Sequence, residues 1–283
     1  MSDWSAWIGR EETRHDHVDP GQFARWCGTL DRVAPGDGNA AQGFHWCLGL
    51  PDGPTASLGP DGHPVRDANA ATFLPPIQLP RRMWASSRVE FLAPVKVDEA
   101  VTRVSRILSV SEKTGQSGAL AFVDVAHETS GSAGPCVREV QTIVYRAPAQ
   151  ASAPPSPPPP SEGLFDPSSW SVERVILPTE ALLFRYSAIT FNSHRIHYDL
   201  AYARDVEKYR GLVVHGPLMA TLLLDLAGRK LGDNMLKTFT FRGVSPAICG
   251  EMLRLVLRSN HAALEFGIYS ADGRQVMSAS ATT

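Results

Sequence analysis

A chain of 283 residues, 43 % apolar and 20 % charged, has room for one large domain or two of about 140 residues each, and its balance is that of an ordinary globular protein. A formal net charge of -2 gives no electrostatic reason to expect nucleic acid or an anionic membrane as partner. The acidic start carries no apolar signal-peptide core, no run approaches the ~18 apolar residues of a membrane span, and Cys27, Cys47, Cys136 and Cys249 form no C-x-x-C pair, so a cytoplasmic protein with free buried thiols is expected.

In chain order, Asp19 followed by Pro20 predicts a capped helix running to Gly28. The apolar segment 42–50 has no clear period, and residues 51–78, rich in Gly, Pro and Asp, read as a long loop. Strands are predicted over 87–91, 100–110, 120–128 and 137–145, with apolar and polar residues alternating from Glu139 to Tyr145. Residues 148–167 are low-complexity and Pro-rich. They could serve as a ligand for a proline-binding module, but they divide the chain into halves of similar size, which favours an extended, solvated spacer. The second half opens with 179–189, continues through a His-rich loop to a short helix at 201–209, and then presents an apolar helix at 217–231 that ends in Gly232. Strands at 236–241, 253–259, 263–270 and 275–279 close the chain. Helix 217–231 is apolar nearly all round and should be wrapped by the strands that follow it, an α+β arrangement.

The halves resemble diverged repeats. Val89-Glu-Phe-Leu-Ala-Pro94-Val-Lys-Val-Asp98-Glu99 and Phe241-Arg-Gly-Val-Ser-Pro246-Ala-Ile-Cys-Gly250-Glu251 share the spacing of Pro, Asp or Gly, and Glu, at an offset of 152 residues. The division expected is an N-terminal domain at 1–147, a linker at 148–167 and a C-terminal domain at 168–283.

The chemistry concentrates between Asn192 and Asp199, where two imidazoles, an amide, a guanidinium and a carboxylate fall within eight residues that no helix or strand needs for stability. His197 is a candidate for proton transfer, because an imidazole titrates near neutral pH. His215-Gly216 then opens the apolar helix. The Gly216 N–H, at a helix N-terminus, is a candidate donor to a developing oxyanion, and the missing Cβ admits close approach. Together they point to chemistry on a polarised carbonyl compound. On residue type alone, His194, His197 and His215 could hold a metal, and Asp199 could cap the helix at 201–209.

The stretch resembles the MaoC-like, R-specific enoyl-CoA hydratase/dehydratase motif D-x-N-P-I-H-x-D-x-x-Y-A, here Asn192-Ser-His194-Arg195-Ile196-His197-Tyr-Asp199-Leu-Ala-Tyr202-Ala203, followed by His215-Gly216. Its wording is closest to a branch that contains type 2 3-hydroxyacyl-thioester dehydratases and itaconyl-CoA and mesaconyl-C4-CoA hydratases. Leu79-Pro-Arg-Arg-Met-Trp84 and Phe91-Leu-Ala-Pro94 extend a weaker resemblance into the first half. The resemblance implies a double hot-dog: two tandem units, each an antiparallel sheet wrapped around a central helix. The first unit is degenerate and enlarges the acyl pocket, and the second is catalytic. A fused pair is a built-in pseudo-dimer, and a homodimer of such chains is left open.

The implied reaction adds water to an α,β-unsaturated acyl-CoA thioester, with no metal and no cofactor beyond the CoA of the substrate. His197 would deprotonate water and protonate the α-carbon, and Gly216 would bind the thioester oxygen. Asn192 departs from the Asp of the wider family; an amide accepts no proton at neutral pH, so it would orient water through its carbonyl oxygen. His194, Arg195, His215 and Arg242 are the candidate substrate contacts, with Arg195 the first choice for a free carboxylate. The leading expectation is a hydratase converting itaconyl-CoA or mesaconyl-C4-CoA to citramalyl-CoA. A 3-hydroxyacyl-thioester dehydratase of fatty-acid synthesis, acting on CoA or acyl carrier protein, is the alternative. A non-catalytic acyl-thioester-binding protein, motivated by Asn192, is the third.

Overall fold

In a computed structural model that describes residues 3–67, 72–115, 118–260 and 263–283, the strands of both halves join in one ten-stranded antiparallel sheet. The first half supplies β1 (Glu11–His17), α1 (Pro20–Thr29), β2 (Arg81–Phe91), β3 (Ala100–Gly115), β4 (Gly118–Gly131) and β5 (Gly134–Arg146). The second supplies β6 (Val172–Ile176), α2 (Glu180–Ile189), α3 (Gly216–Leu231), β7 (Thr238–Gly243), β8 (Leu253–Asn260), β9 (Ala263–Ser270) and β10 (Gln275–Thr282). The sheet order β1-β3-β4-β5-β2-β7-β10-β9-β8-β6 reads the same topology from either edge.

The register explains that symmetry. At the central β2–β7 junction Arg88 pairs with Thr240, the residue 152 positions further on, so the local two-fold axis relating the repeats passes through this pair. Asp98 and Gly250, also 152 apart, both adopt positive φ (66° and 83°) in the turns after the two prolines. The repeat spacing therefore encodes a turn that two unlike residues fill in the same left-handed conformation.

The predicted interior strands all form. The edge strands β1 and β6 carry no clear strand signal in the sequence. Their sequences, EETRHDH and VERVI, alternate exposed with half-buried positions and carry charges that blunt a sheet edge, so no apolar stripe marks them. The alternation in β5 also has a charged member facing inward: Glu139 is buried and accepts the Trp46 indole N–H at 3.0 Å, and burial raises its carboxyl pKa to about 7.

α3 lies inside the sheet's curve, with Leu218 through Ala227 buried. Its Asp225, fully buried, binds Arg32 from the first half, Arg174 on β6 and Arg229 one turn on, which ties both halves to one helix. Between α1 and β2, where the first half would carry its counterpart, the described residues form only short 3₁₀ turns. One of them, Phe44–Cys47, sends Phe44 and Trp46 into the core shared with α3. No helix among the described residues is long and apolar enough to cross a membrane.

The Pro-rich segment departs from the spacer expectation. It is exposed over most of its length but is pinned to the second half. Ser156 exchanges backbone hydrogen bonds with Lys208 and Arg210, Pro157 is buried, and Phe165 stacks on Tyr269 at 4.5 Å. Composition signalled the absence of a core but not the strap-like docking that backbone groups and one aromatic ring make possible.

Candidate active site

The chain leaves α2 through Phe191, with φ 47°, and the loop after it is locked by its own polar groups. The Asn192 N–H donates to Ser187 O, and Asn192 Oδ1 accepts the His194 N–H at 2.9 Å. A 3₁₀ turn at Arg195–His197 follows. Asp199 Oδ1 then accepts the Tyr202 N–H at 3.0 Å, capping a π-helical turn at Tyr202–Val206 where a short α-helix was expected.

This loop delivers His197 to the interior, 7 % exposed, with Nδ1 2.7 Å from Val213 O. A carbonyl only accepts, so Nδ1 carries the proton and Nε2 keeps its lone pair. Burial pushes the imidazole down to about 4, so it is a neutral base at physiological pH. The His215 ring stacks on it at 3.6 Å and 20°. Its Nε2 lies 2.8 Å from Ser187 Oγ, and its buried Nδ1 has no hydrogen-bond partner. Burial, and then the charge His197 would carry, hold His215 well below its ordinary value. Two stacked rings that resist protonation leave room for one proton at a time.

His215 is also the N-cap of α3, with no side-chain cap bond, so the N–H groups of Gly216 and Leu218 lie in a first turn without intrahelical acceptors. The carbonyl oxygen of Trp84, on β2, lies 3.5 Å from where a Cβ on Gly216 would sit. The first half thus supplies a wall of the site.

It supplies more through the long loop at 51–78. Ser193 Oγ donates to Gly62 O at 2.6 Å, the Arg195 N–H to Asp61 O at 2.9 Å, and Arg195 Nη1 to Pro60 O at 2.8 Å. The His63 ring lies 4.2 Å from that of His194, which stands edge-on to His197 at 5.4 Å. Sequence reasoning missed Asp61 and His63; the only cue was a Gly flanked by two chemistry-bearing residues in a Pro-rich loop.

Among the described residues, Asp61, His63 and His194 are the group with metal-ligand spacing, their ligand atoms lying within 4.8 Å of one another. They differ from the three histidines weighed from sequence. Asp61 Oδ2 already holds His63 Nδ1 at 2.9 Å, and the charges of Arg82 and Arg66 press on His63, an environment that disfavours a cation.

The structure therefore gathers His197, His194, His215, Asn192 and Gly216. Asn192 Oδ1 accepts one hydrogen bond from the loop backbone, which shapes the His194 turn and leaves the second lone pair of that oxygen for the expected water. Arg195 and Arg242 are not part of the cluster. The Arg195 guanidinium is taken by Asp199 Oδ2, at 3.1 and 2.7 Å, by Pro60 O and by the Tyr202 ring. Arg242 is exposed, because Phe239 and Phe241 occupy the inward positions of β7 and strand alternation turns their neighbours out.

Three comparisons bear on this arrangement. The family model for hydroxyacyl-thioester dehydratase type 2 matches residues 43–249. A mesaconyl-C(4)-CoA hydratase of Chloroflexus aurantiacus is 39 % identical over 281 residues, covering 98 % of this chain and 97 % of that protein. Among solved structures, HtdX of Mycobacterium tuberculosis superposes with a TM-score of 0.67 at 16 % identity, covering 96 % of this chain and 99 % of that one. A second protein of that organism, described as having a double hotdog fold, gives 0.59 at 13 % identity, over 97 % and 96 %. At such identities the structures speak to the fold alone, an α+β double hot-dog.

Proposed function

The chain belongs to the hydroxyacyl-thioester dehydratase type 2 family and is a hydro-lyase acting on CoA thioesters, and from that premise we propose that it hydrates a C5 dicarboxylic enoyl-CoA, mesaconyl-C4-CoA or itaconyl-CoA, to citramalyl-CoA. The observation that carries the chemistry is the neutral His197, its Nδ1 held by Val213 O, beside the uncapped start of α3. The full-length similarity to a mesaconyl-C(4)-CoA hydratase supports the acyl group.

With mesaconyl-C4-CoA, His197 Nε2 takes a proton as water oxygen bonds to the β-carbon, and the double-bond electrons move onto the thioester oxygen. Gly216 and Leu218 N–H groups hold that oxygen while the negative charge is present. The imidazolium then returns a proton to the α-carbon, so one water is added and His197 ends neutral. The Val213 carbonyl keeps the ring in its tautomer and stabilises the imidazolium. His194 and His215 wall the ring on two sides and, being neutral, do not compete for the proton. No cofactor is required beyond the CoA of the substrate, and the free thiols suit a cytoplasmic setting. The same steps run backward dehydrate a 3-hydroxyacyl thioester, the second reading, which the family match favours.

The test follows loss of enoyl-thioester absorbance with mesaconyl-C4-CoA and crotonyl-CoA, and formation of citramalyl-CoA, separated by chromatography, with itaconyl-CoA, whose double bond is not conjugated with the thioester. His197→Gln keeps most of the buried volume and removes the base, so kcat is expected to fall by ~100-fold or more. A loss of only a few-fold would remove His197 as the base. No turnover of any thioester by the unaltered chain would favour a non-catalytic binder, and preference for saturated 3-hydroxyacyl substrates would favour the dehydratase.

A further inference from the structure

Two guanidinium groups and a hydroxyl near the histidines keep polar atoms without hydrogen-bond partners. Arg66 lies over the Tyr145 ring, 4.4 Å from its centroid; its Nη1 is buried without a hydrogen bond, and its Nη2 reaches only Leu79 O at 3.5 Å. Tyr145 is fully buried, and its hydroxyl is likewise unpartnered. Arg82 pairs directly with Tyr145 across β2 and β5, so the two side chains share a face. It is half-buried and makes no hydrogen bond or ion pair among the described residues. Buried unsatisfied donors are costly, and the Arg82 charge adds to the cost at Arg66, which the Asp61 carboxylate, itself committed to His63, offsets only in part. A carboxylate placed among these groups relieves both.

We propose that Arg82 and Arg66, with the Tyr145 hydroxyl, receive the free carboxylate of the substrate, an inference that rests on the dicarboxylic reading above. The position fits the acyl group. Trp84 lies against Gly216, where the thioester oxygen is held, and Arg82 is two residues along β2 on the same face, about 7 Å away at strand rise. In mesaconyl-C4-CoA three carbon–carbon bonds separate the thioester carbonyl from the carboxylate, which suits that gap with one hydrogen bond at each end. The carboxylate is bonded to the carbon that water attacks, so its receptor must lie beside the histidine cluster. The Arg82 charge does bear on His63 and His194. Burial of Tyr145 and of Arg66 Nη1 places the receptor under the covering loop, away from the surface where CoA phosphates would be met.

The experiment compares kcat/KM for mesaconyl-C4-CoA and crotonyl-CoA in the unaltered chain and in Arg82→Gln, Arg66→Gln and Tyr145→Phe. The ratio should fall by about 30- to 150-fold for Arg82→Gln, the factor a charge-assisted bidentate contact is worth, and by about 10-fold for Tyr145→Phe. Activity on crotonyl-CoA reports that each variant is folded. Should a glutamine variant not fold, Arg82→Lys and Tyr145→Phe, which keep charge and ring, carry the same test with the same sign. Equal losses on both substrates, the result expected if the arginines meet CoA phosphates, would overturn the inference while leaving the dicarboxylic reading intact. An unaltered chain that hydrates crotonyl-CoA but not mesaconyl-C4-CoA would overturn both.

Discussion

Gly62→Ala tests whether the first half is part of the catalytic apparatus. Gly62 has φ +85°, and a Cβ there would lie 2.0 Å from Ser193 O and 2.9 Å from Ser193 C, both backbone atoms of the catalytic loop. No rotamer relieves that clash, so the two loops must separate. Separation removes the Ser193–Gly62, Arg195–Asp61 and Arg195–Pro60 hydrogen bonds, each worth about 0.5–1.5 kcal/mol net. The left-handed backbone adds about 1–2 kcal/mol for a residue with a Cβ. Together these come to roughly 2.5–6.5 kcal/mol. The His63–His194 contact is lost with them, and a displacement of about 1 Å at a reacting centre can cost ~100-fold in rate. Urea unfolding should show a midpoint lowered in proportion, and kcat/KM should fall about 10- to 100-fold. Gly59→Ala is the control: it lies in the same loop, has no positive φ, and its Cβ would come no closer than 3.3 Å to Asp61 Oδ1, 3.5 Å to His63 O and 3.7 Å to Val65 Cγ2. A Gly62→Ala protein matching Gly59→Ala in both stability and rate would refute the proposed packing of the loop on the site.

Three further outcomes are expected. His45 and His127 are pushed by burial to about 3, and His63 and His197 to about 4, so below the ordinary value of ~6.5 the unfolded chain binds more protons than the fold. Stability should be flat above about pH 7 and fall as pH drops from ~6.5 toward 4, by about 1.4 kcal/mol per pH unit for each such histidine, with Glu139, raised by burial to about 7, offsetting one of the four between about pH 7 and 4.5; equal urea midpoints at pH 7.5 and 5 would contradict this. Asn192→Asp keeps the oxygen that accepts the His194 N–H and should retain most activity, whereas Asn192→Ala frees that turn and should lower kcat; equal kcat in Asn192→Ala and the unaltered chain would exclude a positioning role. Phe165→Ala, by removing the ring stacked on Tyr269, should release the Pro-rich strap to limited proteolysis with little change in kcat, and unchanged protease resistance would show the strap to be held elsewhere.

The local features of this protein were legible in its sequence. Asn192, His194, His197, His215 and Gly216 converge because one loop and the helix it feeds carry them all, so neighbours in the chain are neighbours in the site. The repeat at 152 residues set the two-fold sheet, since a duplicated strand and turn can pair with itself. Only the tertiary structure decided what the first half contributes. Gly62 meets Ser193 across 131 residues of chain, through a loop whose composition carries no periodic signal. Arg195, favoured by position, is consumed by Asp199 and Pro60, because a side chain at the rim of a turn finds the nearest acceptors first. Arg82 is the reverse case. Continuing the inward alternation of Ser87, Val89 and Phe91 back along β2 would turn Arg82 to solvent. A bulge between Trp84 and Ser86 inserts one residue, reverses the parity of the strand, and turns Arg82 and Trp84 toward the site.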